Sequence, residues 1–235
     1  MDVKEYRILG EDIGEHWYYR AKSVAVAQFL RGVHFSKILD VGAGSAFFSR
    51  YLLKHFEAYS AWCVDTGYDV EYEETYKGKP LYFRRSITDS DADLVLMMDV
   101  LEHVDDDIGL IREYTDKVAD GTKFLISVPA FQFLWSGHDV FLEHRRRYTL
   151  RQMEAVIREA GLTNLKGSYY FGLVFPLAAV TRLMQRLKPD ETPTSQLKRH
   201  SKIVNQILTA ACALEMPLLE VNRLCGLTVF CLAKK

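Results

Sequence analysis

The chain has 235 residues, of which 49% are hydrophobic and 26% charged, with a formal net charge of -1. That length and apolar fraction can bury a sizeable core, with room for one appended element. The balanced charge supplies no basic field of the kind that draws nucleic acid, so no nucleic-acid partner is expected.

The four cysteines, Cys63, Cys212, Cys225 and Cys231, form no C-x-x-C pair and no Cys/His group with zinc spacing. They read as buried reduced thiols, and no metal is expected. With no signal-peptide pattern at the N-terminus, a reducing cytoplasm is the expected compartment.

Residues 1–13 are polar. A helix is expected over 14–32, rich in alanine and valine and stopped by Gly32. Its start, His16-Trp17-Tyr18-Tyr19-Arg20, reads either as an aromatic staple onto a sheet edge or as a flap over a nucleotide-like ligand, with Arg20 free to pair a carboxylate. Residues 37–49, KILDVGAGSAFFS, read as a buried strand, a glycine turn and a helix start. Gly42 and Gly44 permit backbone angles closed to other residues and a close approach of ligand to main chain. Ser45 is expected to cap a helix over 46–55. A second strand over 59–65 ends in Asp65, whose two oxygens can accept from the vicinal hydroxyls of a ribose.

A short helix is expected over 70–76, then a turn at Gly78 and Pro80 and a third strand over 81–85. Ser86 and Ile87 follow at the carboxyl edge. The fourth strand, 93–98, is apolar after its first residue, as a parallel strand covered on both faces should be. Asp99-Val100-Leu101-Glu102-His103-Val104 follows at once, and Asp105, Asp106 and Asp107 open a helix ending near Gly121. A fifth strand covers 123–128 and is closed by Pro129. Five alternations of strand and helix predict a doubly wound parallel α/β sheet, which binds ligands at the carboxyl ends of its strands. Asp40, Asp65, Ser86, Asp99 and Pro129 all fall at such ends.

Residues 130–148 form a long aromatic and charged connection. Its Arg145-Arg146-Arg147 run reads as a solvated or sheet-capping patch, or as an anion or substrate clamp beside the site. Thr149-Leu150-Arg151-Gln152 is a capping box, so a helix runs to about Ala160. Sixth and seventh strands cover 164–170 and 226–233. Between them lies a helical insertion, 172–222, with helices expected over 173–187 and 198–221 and a break at Pro189 and Pro193. Neither helix reaches the ~20 uninterrupted apolar residues of a membrane span. The insertion reads as a pair of packed helices, a lid, a homodimer face or a membrane-surface element. Arg182, Arg186, Lys188, Lys198, Arg199 and Lys202 suit anionic lipid.

On these residues the chain resembles class I S-adenosylmethionine-dependent methyltransferases, over 14–162 by motif and over the last strand by topology. The family motif acid-x-Gly-x-Gly-x-Gly is matched by Asp40, Gly42 and Gly44, with Ala46 in place of the third glycine. The Leu-Glu-His-Val run at 101–104 is similar to small-molecule methyltransferases near the ubiquinone-pathway type. The resemblance implies one Rossmann-like methyltransferase domain over 1–235, with a seven-stranded, mostly parallel sheet whose last strand is antiparallel between the fifth and sixth. Residues 14–36 would lie over the cofactor.

The implied cofactor is S-adenosyl-L-methionine, with S-adenosyl-L-homocysteine as product. Its implied contacts are Trp17, Arg20, Asp40, Gly42, Gly44, Asp65, Thr66, Ser86, Ile87, Asp99, Val100 and His103. The implied reaction is methyl transfer, by expectation O-methylation, to a small-molecule or lipid-linked acceptor. His138, His144 and His103 are the candidates to take the acceptor's proton. Two rival readings are a nicotinamide dehydrogenase, whose G-x-G-x-x-G fingerprint is incomplete here, and a non-catalytic adenosylmethionine-binding scaffold.

Overall fold

A computed structural model describes residues 10–185 and 201–235. After a 3-10 turn over Gly10–Glu15 comes α1, Trp17–Phe29, capped by His16, whose ring Nδ1 accepts the Tyr18 N–H at 3.3 Å. β1, Lys37–Val41, leads through the glycine turn to α2, Phe47–His55, and β2, Ser60–Val64. β3, Tyr72–Tyr76, and β4, Lys79–Arg84, form a hairpin. β5, Leu94–Met98, is followed by a 3-10 turn over Leu101–His103 and by α3, Asp107–Asp116. β6, Lys123–Pro129, runs into a 3-10 turn over Gln132–Leu134 and the short α4, Gly137–Phe141. Then follow α5, Leu150–Glu159, β7, Thr163–Tyr170, α6, Phe175–Gln185, α7, Lys202–Glu215, and β8, Thr228–Lys234.

The strands form one sheet in the order β3-β4-β2-β1-β5-β6-β8-β7. β4, β2, β1, β5 and β6 are mutually parallel, and β8 runs antiparallel between β6 and β7. This is the expected Rossmann-like arrangement with one strand more than the seven expected.

The extra strand corrects the expected helix over 70–76. The Glu-rich run looked helical, but Lys77 and Gly78 form a two-residue turn with φ of 53° and 77°. Such a turn matches the twist of paired strands and fixes a hairpin. Tyr72 stacks on Phe83 across that pair at 4.2 Å between ring centroids.

Ser45 does not cap α2. The helix starts behind Ala46, which sits at φ 55° and ψ 30° with no side-chain cap. The residue in the third-glycine place of the motif thus adopts a left-handed backbone that glycine adopts freely. α3 ends at Asp116, short of Gly121. The capping box at Thr149 forms, with Thr149 and Gln152 satisfying each other's backbone N–H groups.

Apolar layers cover both faces of the sheet. One gathers Ala25, Val26 and Phe29 of α1 with Phe48 and Leu52 of α2 and Phe230 of β8. The other packs Ile111 of α3 and Met153 and Ile157 of α5 against Val95, Phe124 and Ile126. Cys63, Cys212 and Cys231 are buried and Cys225 is half-buried, all as free thiols. α7 docks on the start of α1: Asn205 accepts the Trp17 N–H at 2.8 Å and donates to the Glu15 carbonyl at 2.9 Å. Arg186, Leu187, Lys188, Pro189, Pro193, Lys198 and Arg199 lie outside the described residues.

Asp40 links β1 to α2. Its buried carboxylate accepts from Ser49 Oγ at 2.7 Å. Burial pushes its pKa up to about 6 from the ordinary 3.8. The folded protein therefore holds this proton more tightly than the unfolded chain, so the stabilising contribution is present in acid and is lost as pH rises from ~4 to ~6. Asp40→Asn, which keeps an acceptor for Ser49, should remove a loss of about 3 kcal/mol over that window. Urea unfolding of both proteins across pH 4–7 measures it, and parallel stability profiles would refute the assignment.

Candidate active site

The glycine turn is built so that backbone can meet a ligand. Gly42, at φ 65°, donates its N–H to the Val64 carbonyl at 2.7 Å. A Cβ there would stand 2.6 Å from Val100 Cγ2, so the turn and the segment after β5 close on each other only through glycine. Gly44 donates its N–H to Asp65 Oδ2 at 2.9 Å and accepts from Tyr68 Oη at 2.8 Å. Asp65 Oδ1 accepts the Gly67 N–H at 2.8 Å. Asp65 thus stands over the turn, and each of its oxygens keeps acceptor capacity. Thr66, next to Asp65, is exposed; at the end of β4 Ser86 is exposed and Ile87 half-buried. Asp40 is sealed beneath the turn rather than facing solvent. Arg20 is exposed in a separate groove with Ser45, Phe47 and Arg50.

The carboxyl end of β5 carries a side chain that the sequence reading passed over. Lys22 of α1 is fully buried and pairs with Asp99 Oδ2. Its ammonium also donates to Tyr18 Oη at 3.3 Å, and Ser127 Oγ donates to Asp99 Oδ1 at 3.1 Å. Burial alone would lower the Lys22 pKa, but Asp99 and Tyr18 outweigh it and raise it. For Asp99 burial works upward, and the Lys22 ammonium holds the carboxyl below its ordinary range. The available signal was positional: Lys22 precedes Ala25, Val26 and Phe29 by three, four and seven residues, on the helix stripe that faces the core.

Beyond Asp99 opens a cavity of about 200 Å³. Its walls include Trp17, Tyr18, Asp99, Glu102, His103, His138, His144 and Arg147, with Val174, Ala178, Thr181 and Arg182 closing the α6 side. All three candidate histidines therefore meet in one space. Phe171, which packs on Trp17 and Tyr18, and Phe131, which packs on Phe175 at the start of α6, have φ of 65° and 57°, and Asp99 itself stands at 56°. These are left-handed angles that bulky side chains rarely adopt.

The connection over 130–148 folds as a strap. Arg145 donates its backbone N–H to the Glu102 carbonyl at 2.7 Å and its Nε to the His103 carbonyl at 2.8 Å. Arg147 Nε donates to Asp139 Oδ1 at 2.7 Å, and Asp139 Oδ1 also accepts from His144 Nδ1 at 2.9 Å. Burial pushes Asp139 upward, but His144 and Arg147 together hold it well below the ordinary carboxylate range. The arginine run is thus divided: Arg145 ties the strap down and Arg147 is buried structure. His138 is pushed down to about 3 by burial and by Arg182. Glu102 is fully buried, and neither carboxylate oxygen has a hydrogen-bond partner among the described residues. Burial, then Asp99, pushes its pKa well above the ordinary value.

The sequence matches the family described as "Methyltransferase domain" over residues 15–166, more than half of the chain. The chain belongs to that family. No curated protein matches it. Among solved structures, it is similar to one in a complex between the Haloferax volcanii Trm112 methyltransferase activator and a methyltransferase, at 15% identity and TM-score 0.58, covering 100% of this chain and 98% of that one. A Haemonchus contortus phosphoethanolamine N-methyltransferase 2, bound to phosphomonomethylethanolamine and S-adenosylhomocysteine, has 15% identity and TM-score 0.57, covering 99% of this chain and 57% of that one. An Archaeoglobus fulgidus SAM-dependent methyltransferase has 15% identity and TM-score 0.52, covering 99% and 98%.

The protein is an S-adenosylmethionine-dependent methyltransferase with the class I fold. The dehydrogenase and scaffold readings fall away. The similarities do not single out the ubiquinone-pathway subgroup. The residues present fit the cofactor: Asp65, at the carboxyl end of β2, stands over the glycine turn with acceptor capacity to spare for a ribose.

Lys22→Met should destabilise the fold by about 1–3 kcal/mol, because it leaves the half-buried Asp99 carboxylate without its cation. Lys22→Met combined with Asp99→Asn should recover much of that loss. Equal stability of the single and double variants in urea unfolding would show that the pair is not coupled.

Proposed function

We propose that this methyltransferase acts on a hydroxyl of a small-molecule or lipid-linked acceptor held in the cavity beyond Asp99. The observation that carries the reading is the position of this cavity, between the carboxyl end of β5 and the strap, with Trp17, Asp99 and three histidines on its walls. Gly42, Gly44 and Val100 would hold the cofactor's main body, Asp65 its ribose, and Ser86 and Ile87 its adenine. Asp99, kept charged by Lys22, suits the amino group at the methionine end.

When bound, the cofactor supplies a methyl group already activated by its sulfonium charge. The chain's own task is mainly alignment, which can contribute up to ~7–11 kcal/mol when donor and acceptor are held in line. Trp17 Nε1, buried and without a hydrogen-bond partner among the described residues, is a donor placed to orient a polar ligand group. The acceptor's proton leaves on the side of the cavity that Glu102, His103 and His144 line. His138, its pKa pushed down by burial and by Arg182, lines the same cavity as a neutral imidazole.

A lipid-linked acceptor is favoured by the two faces of α6. Ala178, Thr181 and Arg182 line the cavity, while Leu177, Val180, Leu183 and Met184 are exposed. Ile203, Ile207 and Leu214 of α7 are exposed as well. Among the described residues no helix is long and apolar enough to cross a membrane. Apolar helix faces of this kind suit insertion at an interface.

Calorimetric titration should show saturable binding of S-adenosylmethionine and S-adenosylhomocysteine and none of NAD. Asp65→Ala should weaken the former by about ten-fold or more, as expected for lost charged hydrogen bonds. Unchanged affinity in that variant would remove Asp65 from the site. In a separate test, the protein should co-sediment with phosphatidylglycerol-containing vesicles, and Leu177→Ser with Leu183→Ser should release it. Failure of the wild-type protein to co-sediment would turn the reading toward a freely soluble acceptor.

A further inference from the structure

Three potential ligand residues converge where the acceptor would enter. One ligand atom from each of Glu102, His103 and His144 lies within 4.8 Å of the others. Side chains bound to one ion at about 2.1 Å stand up to about 4.2 Å apart, so modest rotation would close the group on a cation. Spacing along the chain conceals the group. Two members are adjacent on the 3-10 turn after β5, and the third arrives on the strap, which Arg145 fastens to the carbonyls of the first two.

Two independent observations point to an ion. The first is Glu102, a fully buried carboxylate with no hydrogen-bond partner among the described residues. Its neighbours are neutralised elsewhere, since Asp99 has Lys22 and Asp139 has Arg147. Burying a carboxylate this way is costly unless a cation or a proton accompanies it. The second is the buried Asp139, which accepts from His144 Nδ1 at 2.9 Å. That bond leaves Nε2 as the nitrogen for a ligand, and a carboxylate behind a histidine is the usual support of a metal-bound imidazole.

We propose that Glu102, His103 and His144 form a binding site for a divalent transition-metal ion, on the acceptor side of the methyl-transfer centre. Two imidazoles and one carboxylate suit Zn2+, Mn2+, Fe2+ or Co2+ and leave positions open for an oxygen ligand. The site itself stands on geometry; its role rests on the proposed O-methylation. An acceptor hydroxyl placed on the ion would lose its proton to solvent more readily. The acceptor oxygen then forms a bond to the methyl carbon as the carbon–sulfur bond breaks, and its electron pair stays on sulfur. The proposal departs from the expectation, drawn from cysteine and histidine spacing, that no metal binds.

The test uses the full chain after chelator treatment and dialysis, titrated with Co2+ and followed by its visible absorption, with Zn2+ competition followed by calorimetry. The expected result is one equivalent of Co2+ with ligand-field bands, displaced by Zn2+. Glu102→Gln and His144→Ala should each weaken binding at least about ten-fold. Circular dichroism confirms folding, and His103→Ala supplies a further variant if either fails to fold. Absence of bands in the wild type, or equal affinity in all variants, would overturn the site. S-adenosylmethionine affinity, measured on the same samples, separates this outcome from failure of the methyltransferase reading.

Discussion

The pair formed by the buried Lys22 and the half-buried Asp99 is the contact on which the rest of the site depends. It joins α1, which precedes the sheet in the chain, to the carboxyl end of a central strand. A charge pair in this setting contributes little net stability against an apolar alternative, yet removing one partner is costly. Its structural effect is to fix where α1 lies. That position brings Trp17 and Tyr18 to the cavity, and Asn205 of α7 is then bonded to the same helix start. The aromatic opening of α1 is therefore both staple and wall: Tyr18 stacks on Phe171 at 5.1 Å while lining the cavity.

The strap after β6 supplies the second constraint. Its arginines looked like one basic patch along the chain. In three dimensions they separate by partner, because a guanidinium can serve a backbone carbonyl as well as a carboxylate. Arg145 reaches the carbonyl of His103, Arg147 reaches Asp139 and the Ala130 carbonyl, and Arg146 reaches the Val104 and Asp105 carbonyls. The charge run is spent on holding a loop shut, and the histidines inside it are delivered to one place.

What could be read along the chain was whatever local chemistry imposes. The glycine turn after β1, the acid ending β2, the apolar β5 and the capping box at Thr149 each rest on neighbouring residues, and each forms as expected. The hairpin at Lys77-Gly78 was missed because the Glu-rich strand before it has helical composition, and pairing with β4 overrides that weak preference. Lys22 was missed because its partner lies 77 positions away. The meeting of Glu102 and His103 with His144 was invisible for the same reason. Long-range electrostatic partners leave no periodicity, so only a buried charge on an apolar stripe could have hinted at them.

Asp99 in the cavity wall, and Phe131 and Phe171 packed behind it, all hold left-handed backbone angles, where glycine would sit without strain. Each such residue costs about 1–2 kcal/mol. A glycine at any of them would relax the fold locally while removing the Asp99 charge from the cavity or a ring packed behind its walls, Phe171 on Tyr18 or Phe131 on Phe175. Selection for stability and selection for the shape of this cavity thus pull in opposite directions at these three positions. Variants stabilised without regard to activity should gather there, and their substrate range should broaden as the walls soften.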